Sequence, residues 1–369
     1  MENLYTKNKD WEENFYKAKK MLNRKPILRT LFIELTLRCN ARCEHCGSSC
    51  GDEIRKDEIT ADEIKKVLKS IADNPKYNLR NIMLAITGGE PLLKKEIWDI
   101  MKYAHELGFP WGMTTNGFLI NQNVVDKMVE TGMYSLSISL DGLEKTHESF
   151  RKVKPGEFKK LMKGLKILLK TPEIKVVQIT TCVNKKNIDE LEDMYKLLGD
   201  VGLKEWRIIE VDPIGRAKAN DEILMGPKEY QRMFDFIESK QDNEYGMNVT
   251  YGGCGHFIGK YEGHFRKHPG YCGAGTLISC ILSNGDIFVC PDVVRRPELI
   301  QGNIRKDDFI EVWEKKYKPY RSIRRLGNSK CFKCEYWKLC TGDGFHTWNF
   351  EENRPNFCYK ELIEVNEKN

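Results

Sequence analysis

Cysteine is the residue type that could carry most of the chemistry of this sequence, because 13 of its 369 residues are cysteines. Four lie between Cys39 and Cys50, eight lie between Cys254 and Cys358, and only Cys182 falls between the two groups. The N-terminal segment lacks the apolar stretch of a signal peptide, so we expect a cytoplasmic protein whose thiols stay reduced. Clustered cysteines in such a chain are typical of metal ligands rather than of disulfides.

The first group places three thiols in one short loop. Cys39, Cys43 and Cys46 form a C-x3-C-x2-C pattern directly after a predicted strand. Three thiolates can hold an iron–sulfur cube through three of its irons and leave the fourth iron free. A zinc site completed by Cys50 or His45 is the alternative, because zinc usually takes four closely spaced ligands.

The elements between the two groups must position these thiols. Apolar and amphipathic segments alternate, and a capping box of Thr60 and Glu63 precedes the first helical pattern. The predicted strands cover residues 31–35, 82–87, 111–115, 134–140, 175–183 and 206–211. Six β–α units in series predict an α/β fold with a parallel sheet, either open or closed as a partial (β/α)6 barrel. Ligands bind at the carboxyl ends of the strands in such sheets, which is where the cysteine loop falls.

The composition excludes several other classes of protein. Hydrophobic residues make up 40% of the chain and charged residues 31%, which suits a globular protein with a sizeable core and excludes disorder as its main state. The 60 basic and 54 acidic residues leave a net charge of +6 with no block of lysine and arginine, so we expect no nucleic-acid partner. No run approaches the ~18 apolar residues that span a bilayer, so we expect no membrane partner either.

The cysteine loop resembles the signature of the radical SAM superfamily. Cys39, Cys43 and Cys46 match the ligands of its cluster, and His45 stands where the family has an aromatic residue before the third cysteine. The resemblance implies a partial TIM-type barrel with a [4Fe–4S] cluster that binds S-adenosylmethionine (SAM). It also implies that a flavodoxin or ferredoxin supplies one electron. Reductive cleavage of SAM would then yield a 5′-deoxyadenosyl radical, which abstracts hydrogen from the substrate.

Residues at the ends of the other predicted strands extend this resemblance. Gly88, Gly89 and Glu90 follow the second strand and match the family's motif for the SAM amine. Asn116 and Ser139 end the third and fourth strands, where similar enzymes place polar groups near SAM and the substrate. Taken alone, the glycine pair predicts only a tight turn. The catalytic acid or base stays unknown.

The C-terminal cysteines resemble the SPASM extension of radical SAM enzymes, which carries two auxiliary iron–sulfur clusters. Six of the seven cysteines of that pattern are present, and Gly344 occupies the place of the seventh. The resemblance implies one complete [4Fe–4S] cluster, held by Cys331, Cys334, Cys340 and Cys358. A second auxiliary cluster would take Cys254, Cys272 and Cys290. Its fourth position is either open or closed by Cys280, Asp343 or His346. A zinc ribbon is the alternative for the whole region.

These patterns divide the chain into three parts. Residues 1–28 are an N-terminal extension, residues 29–225 form the radical SAM barrel, and residues 226–369 form a linker helix with the SPASM domain. The last part contains a helix at 227–240 and a hairpin that turns at residues 283–285, and we expect metal to stabilise it because it has little core of its own. Cys182 is interpreted as a core residue and Arg216 as a loop charge.

The resemblance favours a peptide maturase that acts on a ribosomally made precursor. The segments HCGSSCG and GDGFHTW look like those of peptide-modifying members, and the product would be a thioether, a carbon–carbon crosslink, or an excised or epimerised residue. The N-terminal extension is too short for a leader-binding domain, so a separate protein would read any leader. The alternatives are a sulfatase-type protein maturase, an enzyme of small molecules such as tetrapyrroles, and a zinc-stabilised binding module.

Overall fold

A computed structural model of the chain describes residues 9–53, 55–218, 220–253, 256–264 and 270–364. These residues form a mixed α/β fold around one sheet of ten strands and a separate two-stranded ribbon. The strands are β1 (Thr30–Glu34), β2 (Met83–Thr87), β3 (Trp111–Thr115), β4 (Met133–Ser139), β5 (Val176–Val183), β6 (Glu205–Glu210), β7 (Asn248–Tyr251), β8 (Ile278–Ile281), β9 (Asp286–Phe288), β10 (Gly302–Asn303), β11 (Trp348–Asn349) and β12 (Arg354–Pro355).

Strands β1 to β6 lie side by side in chain order and are all parallel, which confirms the predicted partial TIM-type barrel. One face of the sheet is apolar: Leu31 pairs with Leu84, Leu84 pairs with Trp111, and all three side chains are buried. Side chains alternate across a strand, so Phe32, Ala85 and their neighbours on the opposite face line an internal cavity. The sheet is therefore covered by helices on one side and faces a cavity on the other.

The helices that connect the barrel strands bury their apolar residues in the same core as the strands. The helices of the chain are α1 (Lys9–Arg24), α2 (Ala61–Ala72), α3 (Ile97–Leu107), α4 (Gln122–Glu130), α5 (Glu144–Arg151), α6 (Glu157–Leu168), α7 (Leu191–Asp200), α8 (Pro227–Ser239), α9 (Phe309–Lys315), α10 (Ser329–Lys333) and α11 (Trp337–Cys340). The predicted capping box is confirmed, since the Glu63 N–H donates to Thr60 Oγ1 and the Thr60 N–H donates to Glu63 Oε2. Within the described residues, we find no helix with the length and hydrophobicity that spanning a bilayer requires.

The C-terminal part of the chain continues the barrel sheet. Strand β8 pairs in parallel with β1, the predicted hairpin joins β8 to β9, and β7 extends the opposite edge beside β6. Trp313, Tyr317 and Tyr320 are buried in the same apolar core as the barrel residues. Apolar packing therefore stabilises this part, in addition to whatever its cysteines bind.

Helix α1 also packs on the cysteine-rich C-terminal part. The Lys19 side chain is only 1% exposed, and its ammonium group donates to the carbonyl of Leu339 and to Thr341 Oγ1. It also lies over the ring of Phe15, 4.4 Å from the ring centre. The N-terminal extension is thus attached beside Cys340, one of the predicted cluster ligands.

Candidate active site

A cavity of about 600 Å³ occupies the barrel interior and extends into the loops at the carboxyl ends of the strands. It brings together most of the predicted site residues: Cys39, Cys43, His45, Cys46, Gly88, Gly89, Asn116, Ser139, Cys272 and Cys290. The volume lies within the range of about 300–1,000 Å³ that is typical of sites for small organic ligands.

The cysteine loop turns its three thiols toward this cavity. The pKa of Cys39 is raised to about 12, mainly by burial and also by the neighbouring thiols of Cys43 and Cys46, so the three groups are close enough to repel one another as thiolates. The pKa of Cys43 is also raised, mainly by burial. Thiols in this state lose their protons when a cation binds them. Three converging thiols in one loop therefore fit the three cysteine-bound irons of a [4Fe–4S] cluster.

Cys50 supports this loop. Its thiol donates to Cys46 and lowers the pKa of Cys46 to about 6, and its backbone N–H lies 3.4 Å from the Cys46 sulfur. The loop is closed by the N–H of Cys39, which donates to the carbonyl of Gly51 over 2.6 Å. A thiol that the sequence leaves without a role thus orients a predicted ligand.

His45 lies against the loop as a neutral aromatic ring. It stacks on Phe150 with ring centres 4.7 Å apart and planes 4° apart. Burial lowers the pKa of His45 to about 4, so the ring is uncharged near neutral pH. The geometry supports a packing role for this residue beside the cluster loop, in the place where the family has an aromatic side chain.

A buried ion pair lies beneath Cys43. The Arg151 guanidinium donates to Asp141 Oδ2 through Nε at 2.9 Å and Nη2 at 2.7 Å, while its Nη1 lies 3.7 Å from the Cys43 sulfur. Burial raises the pKa of Asp141, but Arg151, His45, His147 and the hydrogen bond from the Cys182 N–H together outweigh it, and the pKa is lowered. Asp141 Oδ1 also accepts from the N–H of Cys182 at 2.8 Å. The pair joins the ends of β4 and β5 to the cysteine loop.

The sequence predicts only a loop charge at Arg216. The structure instead shows that this residue donates hydrogen bonds to the cysteine loop. Its Nε donates to the carbonyl of Cys43 at 2.7 Å, and its Nη1 donates to the carbonyl of Cys50 at 2.8 Å. Its backbone N–H donates to the carbonyl of Cys46 at 3.1 Å. Three loop carbonyls are therefore fixed by one residue that lies after strand β6.

The glycine pair after β2 lets two backbone segments touch. A Cβ atom on Gly88 would lie 2.4 Å from the carbonyl oxygen of Thr36, and one on Gly89 would lie 2.2 Å from that of Arg38. The Glu90 N–H donates to the carbonyl of Arg38 at 2.8 Å. The end of β2 is thus bonded directly to the start of the cysteine loop.

The Glu90 carboxylate does not face the cavity. It is fully buried and accepts from Thr115 Oγ1 at 2.8 and 2.9 Å, from the Asn116 N–H at 2.8 Å and from the Leu92 N–H at 3.2 Å. These donors surround both carboxylate oxygens. These hydrogen bonds join β2 to β3 and fix the position of the carboxylate next to Gly88 and Gly89, which line the cavity. The contact of Glu90 with the SAM amine stays a prediction.

Asn116 and Ser139 both border the cavity. Asn116 Nδ2 donates to Asn40 Oδ1 at 2.7 Å and lies 3.9 Å from the Cys39 sulfur. Ser139 is the last residue of β4, and its neighbour two residues earlier, Ser137, shares a hydrogen bond of 2.7 Å with Thr180. Both positions therefore stay predictions for contacts with SAM or substrate.

Two cysteines of the incomplete auxiliary group, Cys272 and Cys290, line the same cavity as the cysteine loop. Burial raises the pKa of Cys290 well above its usual value, with further contributions from Asp292, Cys280 and Cys272. Cys254 lies outside the described residues, so its role as a third ligand stays a prediction.

The candidates for the fourth position of this group lie in two places, Asp343 and His346 beside His256 and Cys280 in strand β8. Asp343 Oδ2 is 2.7 Å from His256 Nδ1, and His346 Nε2 is 3.6 Å from Asp212 Oδ2. Cys280 is fully buried in β8. The first two candidates therefore belong to a histidine and carboxylate cluster.

The other four C-terminal cysteines gather away from the cavity. The pKa of Cys331 is raised mainly by burial and also by Cys334, and that of Cys358 is raised mainly by burial and also by Cys331. Cys358 likewise raises the pKa of Cys340. Four mutually interacting thiols fit the four ligands of one [4Fe–4S] cluster.

Replacing Lys19 with methionine should lower the reduction potential of a cluster held by these four cysteines. Burial lowers the pKa of Lys19 to about 7, so its ammonium group, which lies beside Cys340, is only partly charged near neutral pH. Below pH 7, where the group is charged, its charge favours the more negative reduced cluster, so losing it should lower the potential by about 59 mV, one tenfold change for one electron. Redox titration followed by electron paramagnetic resonance measures this shift.

Two further variants separate this charge effect from a packing effect. Lys19→Arg keeps the charge and should keep the potential, and Lys20→Met removes an exposed charge from the same helix and should change nothing. If Lys19→Met and Lys20→Met give the same potential, the Lys19 charge does not act on the cluster.

The barrel interior faces a loop of three thiols, and four further thiols gather in the C-terminal part. This combination is the one expected of a radical SAM enzyme with an auxiliary-cluster domain. A family model described as the radical SAM superfamily matches residues 33–198, and the SPASM model, described as an iron–sulfur cluster-binding domain, matches residues 272–335. The chain belongs to the radical SAM superfamily and carries a SPASM domain. These domains imply [4Fe–4S] clusters and SAM as cofactors.

Individual relatives differ in their activities. The chain is 30% identical to the AdoMet-dependent heme synthase of Methanosarcina barkeri, over 85% of this chain and 90% of that protein. It is 26% identical to the mycofactocin maturase MftC of Mycolicibacterium smegmatis, over 84% of this chain and 76% of that protein. Its fold is similar to that of native anSMEcpe with bound AdoMet and Cp18Cys peptide, with a TM-score of 0.69, 20% identity, and coverage of 90% and 93% of the two chains.

Proposed function

We propose that this chain is a radical SAM enzyme that oxidises or decarboxylates the side chains of a tetrapyrrole. The observation that carries this proposal is its 30% identity, over 85% of the chain, to a protein named AdoMet-dependent heme synthase. The similarity to the mycofactocin maturase MftC is lower, at 26%. A small-molecule substrate is therefore favoured over the peptide substrate that the cysteine pattern first suggests.

Charged groups in the cavity support a substrate with carboxylate side chains. Arg207 on β6 and Arg216 both line the cavity wall. The Arg216 guanidinium donates to the backbone carbonyls of Cys43 and Cys50, which are neutral and therefore leave its positive charge in place. The charge of Arg151, in contrast, is paired with Asp141. Carboxylates bind strongly to guanidinium groups, so Arg207 and Arg216 are the candidate anchors for acidic substrate side chains.

The chain's own residues hold and orient the reactants. Cys39, Cys43 and Cys46 would bind the cluster, and the backbone of Gly88 and Gly89 would border SAM. When bound, the cluster and SAM supply a 5′-deoxyadenosyl radical. The barrel wall then keeps the substrate carbon close to SAM and keeps water and oxygen out, which is the protein's main contribution in a cofactor enzyme. A flavodoxin or ferredoxin remains the proposed electron donor.

A side-by-side comparison of two substrates tests this proposal. The anaerobically reconstituted protein is incubated with SAM, a reductant and iron coproporphyrin III, a haem precursor with propionate side chains, and separately with a peptide encoded by a neighbouring small reading frame. We expect the porphyrin to lose mass, by one carbon dioxide and two hydrogen atoms per side chain if it is decarboxylated. One hydrogen atom would leave with the 5′-deoxyadenosyl radical; the other would leave as a proton, and its electron would pass to an auxiliary cluster, such as one held by Cys331, Cys334, Cys340 and Cys358. An unchanged porphyrin beside a modified peptide would overturn the proposal in favour of a peptide maturase.

A further inference from the structure

A cluster of histidine and carboxylate side chains lies at the wall of the cavity, apart from the cysteine loop. Asp212, His256 and His346 place one donor atom each within 4.8 Å of one another. Asp212 and His346 line the cavity, and His256 is fully buried behind them. We call these three residues the His–Asp cluster.

The spacing within the His–Asp cluster suits ligands of a single ion. His346 Nε2 lies 3.6 Å from Asp212 Oδ2. Nitrogen and oxygen ligands lie about 2.1 Å from a zinc-type ion, so two ligands of a tetrahedral site are separated by about 3.4 Å. The donors of Asp212 and His346 therefore stand near the separation that one ion would impose, and the His256 donor lies within 4.8 Å of both.

Neighbouring carboxylates complete the surroundings of His256. Its Nδ1 lies 2.7 Å from Asp343 Oδ2, which also accepts from Thr347 Oγ1 at 3.2 Å, and its Nε2 contacts the Glu210 carboxylate. A histidine that binds a metal commonly donates its other N–H to a carboxylate, which fixes the orientation of the ring. Asp343 is placed for that supporting role, and Glu210 is placed as a further ligand.

The charges of the cluster also favour a cation. Burial opposes protonation of His256, but the carboxylates of Asp343 and Glu210 outweigh burial and raise the pKa of His256 well above its usual value, so a bound metal ion would replace the proton on its Nε2. Glu210, Asp212 and Asp343 bring three carboxylates into a buried region with two imidazoles, and Asp292 lies near enough to act on Asp212. Gathering like charges away from water is costly unless an ion or proton compensates them. Two histidines and carboxylate oxygens form a ligand set that first-row divalent ions accept.

We infer that Asp212, His256 and His346, together with Glu210, bind one divalent first-row metal ion such as Fe²⁺ or Zn²⁺ at the cavity wall. This site is separate from the cysteine clusters and stands independently of the proposed substrate. In this arrangement His346 binds the ion rather than the cluster of Cys272 and Cys290, and Asp343 orients the ring of His256.

Cobalt titration of the cluster-loaded protein tests this inference. After a chelator wash that leaves the iron–sulfur absorbance unchanged, Co²⁺ is added under anaerobic conditions, and its visible ligand-field bands are recorded. We expect one Co²⁺ per chain with nitrogen and oxygen ligands, recognised by the lack of a thiolate-to-cobalt charge-transfer band. Asp212→Asn and His346→Gln should each weaken binding by at least 100-fold, and Asp343→Asn by about 10- to 100-fold.

Matched controls keep the test decisive. His105→Gln replaces an exposed histidine on α3 and should bind Co²⁺ like the unmodified protein. Near-ultraviolet circular dichroism identifies any variant that fails to fold, and Asp343→Asn then serves as the milder substitution. Three results would each overturn the inference: unchanged binding in the variants at Asp212, His346 and Asp343, no binding in the unmodified protein, or a thiolate charge-transfer band.

Discussion

Replacing Cys39, Cys43 and Cys46 with alanine abolishes the reductive cleavage of SAM by the reconstituted protein. These three thiols share one loop and line one cavity, and Cys43 and Cys46 lie close enough to Cys39 to raise its pKa, so they form a single ligand set. Without them we expect about four fewer irons per chain and no 5′-deoxyadenosine above background, since a [4Fe–4S] cluster contributes four irons. Iron analysis and chromatography of the products measure both effects.

Cys182 provides the matched control for this substitution. Its thiol lines the same cavity, but it lies in strand β5 and outside the predicted ligand sets. Cys182→Ala should keep both the iron content and SAM cleavage, because its backbone N–H still donates to Asp141. Cleavage that survives the loss of the three loop cysteines would show that they are not the ligands of the SAM cluster.

Replacing Gly89 with alanine should reduce SAM cleavage by about 100-fold, the effect expected of a displacement of about 1 Å in an active site. The new Cβ atom would lie 2.2 Å from the Arg38 oxygen and 2.6 Å from the Arg38 carbonyl carbon, both of which are backbone atoms. The end of β2 must therefore move away from the cysteine loop, which breaks the hydrogen bond from the Glu90 N–H to Arg38. Single-turnover formation of 5′-deoxyadenosine measures the loss.

Gly51→Ala is the control for the Gly89 substitution. Gly51 also lies next to the cysteine loop, but a Cβ atom there would meet no atom within 4 Å. The substitution keeps the hydrogen bonds of its backbone to Leu37 and Cys39, so activity should stay near that of the unmodified protein. Equal activity of the two alanine variants would mean that the contact between β2 and the cysteine loop does not position SAM.

The barrel could be predicted from the sequence because its strands and helices are marked by local patterns. Six apolar segments and the capping box of Thr60 and Glu63 depend only on nearby residues, and both are present in the structure. Helix α5 was missed because its segment, EKTHESFR, contains one large apolar residue, Phe150, and otherwise reads as polar. That omission also hid Arg151, which pairs with Asp141 beneath Cys43.

Contacts between distant parts of the chain could not be predicted in this way. Arg216 binds carbonyls of the cysteine loop from 166 and 173 residues away, and Lys19 contacts Leu339 from 320 residues away. In a sequence, each is an ordinary charged residue whose burial depends on tertiary packing. The hydrogen bonds that Thr115 and Asn116 donate to the Glu90 carboxylate could not be predicted for a similar reason, because they depend on how β2 and β3 pack.

The substrate class illustrates the same limit. Cysteine spacing reports the clusters that radical SAM enzymes share, and it therefore cannot separate a peptide from a tetrapyrrole. The residues that would contact a substrate, such as Arg207 on the cavity wall, come together only in the folded barrel. The similarity to a heme synthase over most of the chain is what shifts the preference to a tetrapyrrole.

Hydrogen transfer from a labelled tetrapyrrole tests the proposed function most directly. Iron coproporphyrin III that carries deuterium on its propionate side chains is incubated with the reduced protein and SAM, and the 5′-deoxyadenosine formed is analysed by mass spectrometry. We expect deuterium in the 5′-deoxyadenosine and a matching change in the mass of the porphyrin. Unlabelled 5′-deoxyadenosine together with an unchanged porphyrin would contradict the assignment of this chain as a tetrapyrrole-modifying radical SAM enzyme.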